Sequence, residues 1–176
     1  MSELGLAQCF HAKTKIDIQL AYENMSKMEE IKWNNSRFNM PKLRYYNLYK
    51  AYFETEDYVQ ENISKRLRSV MAQFRAGILP LEIETGRYTG KPLDERLCKF
   101  CDQSVVEDEY HFLCCCELYK DERNILYRDV SQIYEDFNDM DIFDKFIFLS
   151  SNVQKQVAAF INIALQKRSK CKYIDS

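Results

Sequence analysis

Four residues in the stretch RLCKFCDQSVVEDEYHFLCCCELY have the types and spacing to hold a metal ion. Cys98 and Cys101 are separated by two residues, nine more separate Cys101 from His111, and a run of cysteines at 114–116 comes just after it. Zn2+ takes thiolate and imidazole ligands at tetrahedral corners, and a two-residue gap lets two thiolates on one tight turn reach the same ion. Nine intervening residues let the chain return with an imidazole and a third thiolate, which predicts a structural Cys3His site carrying Zn2+. In small zinc-binding peptides such a site contributes on the order of 10 kcal/mol to local order.

Two other readings compete. Cys98 and Cys101 could be small buried residues with His111 in the core. Alternatively, C-x-x-C could be a redox pair, but that chemistry wants a buried strand before it and a helix starting at the first cysteine, whereas a polar turn precedes Cys98. The fourth metal ligand is a choice among Cys114, Cys115 and Cys116. On a regular helix Cys114 and Cys115 share the face of His111 and Cys116 lies well round the cylinder, so helical geometry alone slightly prefers Cys115. The two cysteines left over are expected to be packing thiols.

The elements that must position these ligands are predicted to be helical. The 176 residues are 46% hydrophobic, enough for a core that does not depend on a metal, and include four Gly and three Pro, too few for a turn-rich sandwich. The expected class is mainly α, a helical domain with a small central zinc knuckle and a short irregular or β-hairpin segment. Its parts are an N-terminal helical segment (1–40), a helical region leading into a turn-rich segment (41–96), the zinc knuckle (97–119) and C-terminal helices (120–176), all packed as one domain.

Within that scheme Ile18, Ala21, Tyr22, Met25 and Met28 mark a helix from about Lys13 to Trp33, closed by the polar run NNSRFN. Pro41 suits the start of a short second helix with Leu43, Tyr46, Tyr49 and Lys50. Asn62 or Ser64 caps a third, with Ile63, Leu67, Val70, Met71 and Phe74 inward and Gly77 ending it. ILPLEIETGRYTGKPLDER reads as extended chain and turns. Beyond the cysteines, Leu118 to about Tyr134 resumes a helix. Asp139 or Asp141 caps the next, and Ser151 or Asn152 caps a last one bearing Val153, Val157, Phe160, Ile161, Ala164 and Leu165.

Seven cysteines, three of them adjacent, do not make a disulfide framework, so a reducing compartment is expected, cytoplasmic or nuclear. The opening MSELGLAQCFHAK lacks an apolar core of signal-peptide length, and no apolar run approaches a membrane span. A net charge of −2 argues against coating duplex DNA. The charge is uneven, however: 41–80 is net basic, 97–150 acidic, and the tail from Ser151 basic through Lys155, Lys167, Arg168, Lys170 and Lys172.

Taken together, KLRYYNLYKAYFETEDYV, RSVMAQFRAGILPLEIETGRY, RLCKFC, VEDEYHFLCCCELYKDER and FIFLSSNVQKQVAAFINIALQKR resemble the carboxy-terminal zinc-binding region of non-LTR, LINE-type retroelement reverse transcriptases. The resemblance spans about Leu43 to Arg168. It implies Cys98, Cys101, His111 and Cys116 as ligands, with Glu107, Asp108, Glu109, Tyr119 and Arg123 as companions. Where that family has proline after the last cysteine, this chain has Glu117, and cysteines fill the two positions before it. No polymerase is expected, because two-metal nucleotidyl transfer needs clustered aspartates and no adjacent Asp-Asp pair exists.

The resemblance implies a non-catalytic module that helps hold RNA or single-stranded DNA. Lys65, Arg66, Arg68, Arg75 and Arg87 are the candidate phosphate contacts, and Tyr45, Tyr49 and Tyr52 the candidate stacking rings. A solvated face and half-buried packing are the competing accounts of those groups. Arg87 is expected to pair with Glu107, Asp108 or Glu109 in preference to a phosphate, and the triplet itself either to neutralise basics or to be solvated at a helix start. The basic tail reads as a solvated helix end. The alternative function is a zinc-stabilised helical module that binds a protein partner and has no nucleic-acid role.

Overall fold

In the computed structural model, which describes residues 18–172, helix α1 (Ile18–Asn39) runs straight through the run NNSRFN that was expected to end it. Pairs one turn apart carry it across: the Arg37 guanidinium lies 4.2 Å from the Trp33 ring centre, and Asn39 Nδ2 donates to the Asn35 carbonyl at 2.8 Å. No residue of α1 is buried. Its predicted start at Lys13, and the opening segment read for a signal, lie outside the described residues. The chain divides into two compact units, Met1–Pro41 and Lys42–Ser176.

Among the described residues the second unit consists of helices joined by turns and loops, with no β-strand. A 3-10 turn (Pro41–Leu43) and the single turn α2 (Tyr46–Tyr49) replace the one helix expected there, and α3 (Asp57–Gln60) is equally short. In α4 (Lys65–Arg75) the Ser64 hydroxyl accepts from the Leu67 amide, so Ser64, not Asn62, is the cap. Gly77 follows with φ 63°, and a Cβ there would sit 2.1 Å from the Lys42 carbonyl oxygen, so only glycine closes this helix against that strand of backbone.

The segment expected to be extended contains a helix, α5 (Glu82–Tyr88). Its prolines and glycines punctuate rather than prevent it: Pro80 precedes the first turn, and Gly90, with φ 72°, follows the last. Gly86, inside α5, leaves room for Arg96, whose Cγ a Cβ would approach to 2.7 Å. The Arg96 guanidinium then donates to the Ile83 and Lys91 carbonyls and ties α5 to the loop that carries Cys98 and Cys101.

Three longer helices complete the unit: α6 (Lys120–Ser131), α7 (Ile142–Asn152) and α8 (Gln154–Lys172). Asp141 caps α7 through the Phe143 and Asp144 amides. Ser151 and Asn152 do not cap α8. They are the last residues of α7, and their side chains donate back to the Ile147 and Phe148 carbonyls.

α8 is the central element, packed by α4, α6 and α7. Val157, Phe160, Ile161 and Ala164 are buried against Met71, Phe74, Leu126, Val130, Phe146 and Leu149. Each large side chain so buried stabilises by about 1.5–3 kcal/mol. No helix among the described residues is long and apolar enough to cross a membrane.

Candidate metal centre

Cys98 and Cys101 sit on a loop that returns upon itself. Leu97 and Val106 form an antiparallel bridge, the Cys98 amide donates to the Val105 carbonyl at 2.9 Å, and the Glu107 amide donates to the Arg96 carbonyl at 3.0 Å. Ser104 takes φ 50° where the chain reverses. The loop therefore delivers Asp108 to the start of the next helical turn, where its Oδ1 accepts from the His111 amide at 2.8 Å. Asp108 Oδ2 accepts from the Tyr45 hydroxyl at 2.5 Å.

His111–Cys115 is one π-helical turn, closed by the Cys116 amide on the His111 carbonyl at 2.8 Å. This decides among the three cysteines. A fifth residue on lies about 140° round an α-helix, but a turn widened to i→i+5 brings it back toward the starting face, and Cys116 leaves in an extended conformation (φ −60°, ψ 126°). Cys98, Cys101, His111 and Cys116 consequently place their ligand atoms within 4.8 Å of one another and form a group able to hold a metal ion. Cys115, which regular helical geometry preferred, is outside the group, as is the buried Cys114.

Cys98 Sγ and Cys116 Sγ are 3.8 Å apart, too far for a disulfide, and Cys101 Sγ is 3.4 Å from His111 Nε2. All six cysteines of the described residues are free. The thiol shared with Cys116, together with burial, pushes Cys98 up to about 12, and the same hydrogen bond lowers Cys116.

Of the two roles expected for the acidic triplet, Glu107 and Glu109 take the first: both are buried and each neutralises an arginine. Glu107 is fully buried, 3.7 Å from Cys98 Sγ. It accepts from the Glu82 amide at 2.8 Å and from both terminal nitrogens of Arg168, Nη2 at 2.8 Å. Arg168 also lies 4.4 Å over the Phe100 ring, between the two loop cysteines in sequence. Glu109 pairs with Arg44 at 2.6 Å, although burial still pushes its carboxyl upward. Tyr119 is buried edge-on to Phe112, and Arg123, also buried, donates to the Cys116 carbonyl at 2.9 Å.

The other expected sites fare differently. Lys65, Arg66 and Arg68 are exposed. Arg75 is buried: it donates to the Ser150 carbonyl at 2.7 Å, pairs with Glu56 at 2.7 Å and lies over the Tyr49 ring, which takes it out of reach of a phosphate. Arg87 pairs with Glu84 at 2.6 Å, not with the triplet. Tyr45 and Tyr49 pack edge-on against Phe146, and only Tyr52 of the three rings stands in solvent. Arg168 is not a solvated helix end, and Lys167 pairs with Glu122 at 2.9 Å. Arg44, Arg96 and Arg168 organise the centre without having been singled out for it. For Arg168 a signal existed, since Ile161, Ala164 and Arg168 continue one helical stripe.

No family model, no curated protein and no solved structure matches the chain.

Proposed function

We propose that Cys98, Cys101, His111 and Cys116 hold one structural Zn2+ in a zinc knuckle, and that the helical unit so braced holds single-stranded nucleic acid as a non-catalytic, intracellular module of retroelement reverse-transcriptase descent. Bond lengths of about 2.3 Å to sulfur and 2.0–2.1 Å to nitrogen at tetrahedral angles put two sulfurs about 3.8 Å apart and sulfur about 3.5 Å from nitrogen. The 3.8 and 3.4 Å separations in the group fit that figure. Three thiolates with Zn2+ carry one net negative charge, and Arg123, buried beside Cys116 with a carbonyl as its hydrogen-bond partner, suits it as the counter-charge. Zn2+ would supply a cross-link between the loop and the π turn; four protein ligands leave no open position for a reacting water.

The nucleic-acid limb rests on one observation. Lys65, Arg66 and Arg68 stand exposed on the first turns of α4, at the positive end of the helix, where cations are disfavoured. None of the three makes an ion pair with a carboxylate among the described residues. A placement that costs helix stability and has no internal compensation is accounted for by an external anion, and a chain of phosphates supplies several at once.

Reversing all three to Glu is expected to weaken binding of an unstructured RNA oligomer on the order of tenfold and to reduce the slope of log affinity against log salt by about 2, since each single-strand contact contributes about 0.7. Fluorescence anisotropy across a salt series reads both. An unchanged affinity and slope would remove nucleic acid from the account. Arg75 is left out of the variant because its substitution would disturb the fold.

A further inference from the structure

We propose that the groove between α6 and α8 is a docking site for a short amphipathic helix with basic flanks, contributed by another protein. The groove has a volume of about 390 Å3. On one side it is lined by Glu122, Ile125, Leu126 and Asp129, and on the other by Gln156, Ala159, Phe160 and Ile163. Both sets run i, i+3, i+4, i+7, so two parallel ridges about two turns long leave a furrow with helical period, which a third helix fits. No β-strand exists among the described residues to be extended by an incoming strand, and the helical period of the two ridges suits helix-in-groove recognition.

Leu126 and Phe160, 4% and 3% exposed, form the floor. Ile125 and Ile163 form the walls at 52% and 51% exposed, an arrangement that offers apolar area without serving the core. Charge selects the occupant. Both charged residues lining the groove are acidic. Glu122 is matched by Lys167, whereas Asp129 has only the solvent-exposed neighbour Arg128, a pair of little worth. A Lys or Arg flanking the apolar face of the incoming helix finds its partner at Asp129.

The test uses two synthetic helical peptides with leucine at i, i+3, i+4 and i+7, one flanked by lysine and the other by glutamate, titrated by anisotropy against the full chain. The lysine peptide is expected to bind with a Kd on the order of 10–100 μM, in keeping with a small transient interface, and the glutamate peptide at least fivefold more weakly. Ile125→Asp with Ile163→Asp is expected to cut binding more than tenfold, and Asp129→Lys to reverse the preference between peptides. Both isoleucines are half exposed, so the fold tolerates the change, and an unaltered circular-dichroism melt checks that it does. No binding of the lysine peptide, equal binding of both peptides, or indifference to the isoleucine variant would overturn the proposal. So would self-association of the wild type that the isoleucine variant abolishes, because a second copy would then be the occupant.

Discussion

Replacing Arg168 by Met is expected to lower the stability of the Lys42–Ser176 unit by about 3–5 kcal/mol, because it strands the buried Glu107 carboxylate without its cation. Glu107 touches Cys98 Sγ and holds the first amide of α5, so the same substitution is expected to weaken metal binding about 10–100-fold. Arg168→Lys keeps the charge but not the two-pronged grip and should fall between the wild type and Met. Urea melts and competition against a chelator measure the two effects separately. A Met variant with wild-type stability and wild-type metal affinity would mean that the C-terminal helix does not position the centre.

Removing ligands one at a time should separate the three consecutive cysteines sharply. Cys116→Ser is expected to lower zinc affinity on the order of 10²–10³-fold, a quarter share of the roughly 10–16 kcal/mol that four ligands provide. Cys115→Ser, a half-exposed position outside the group, should leave affinity within about twofold. The widened turn is the reason for the difference, and the opposite ranking would restore Cys115 and regular helical geometry.

The helices could be read because their apolar residues repeat at 3.6, and the caps at Ser64 and Asp141 because those side chains have local work to do. Three members of the group, Cys98, Cys101 and His111, could be read from type and spacing. Helical geometry alone could not choose Cys116, since a π turn has no signature in these residues; the family resemblance carried that choice. Buried charges were the least legible. Arg75 and Arg168 lie on the apolar stripes of α4 and α8, one turn beyond Met71 and Ala164, and polarity was read as exposure when position on the stripe was the better guide. The acidic triplet neutralises basics, one of its two expected roles, but which basics was not legible: its partners, Arg44, Tyr45 and Arg168, come from more than sixty residues away, whereas the nearby Arg87 pairs elsewhere. α5 is hidden in the sequence because Pro80, Gly86 and Gly90 look like breakers, whereas Pro80 and Gly90 flank the helix and Gly86 makes room for Arg96.

Native mass spectrometry of the full chain after equilibration with Zn2+ tests the centre most directly. One tightly held zinc ion per chain is expected, absent from Cys98→Ser and retained by Cys115→Ser. A wild-type chain that stays folded by circular dichroism yet carries no zinc, or that carries it equally well without Cys98, would contradict the assignment.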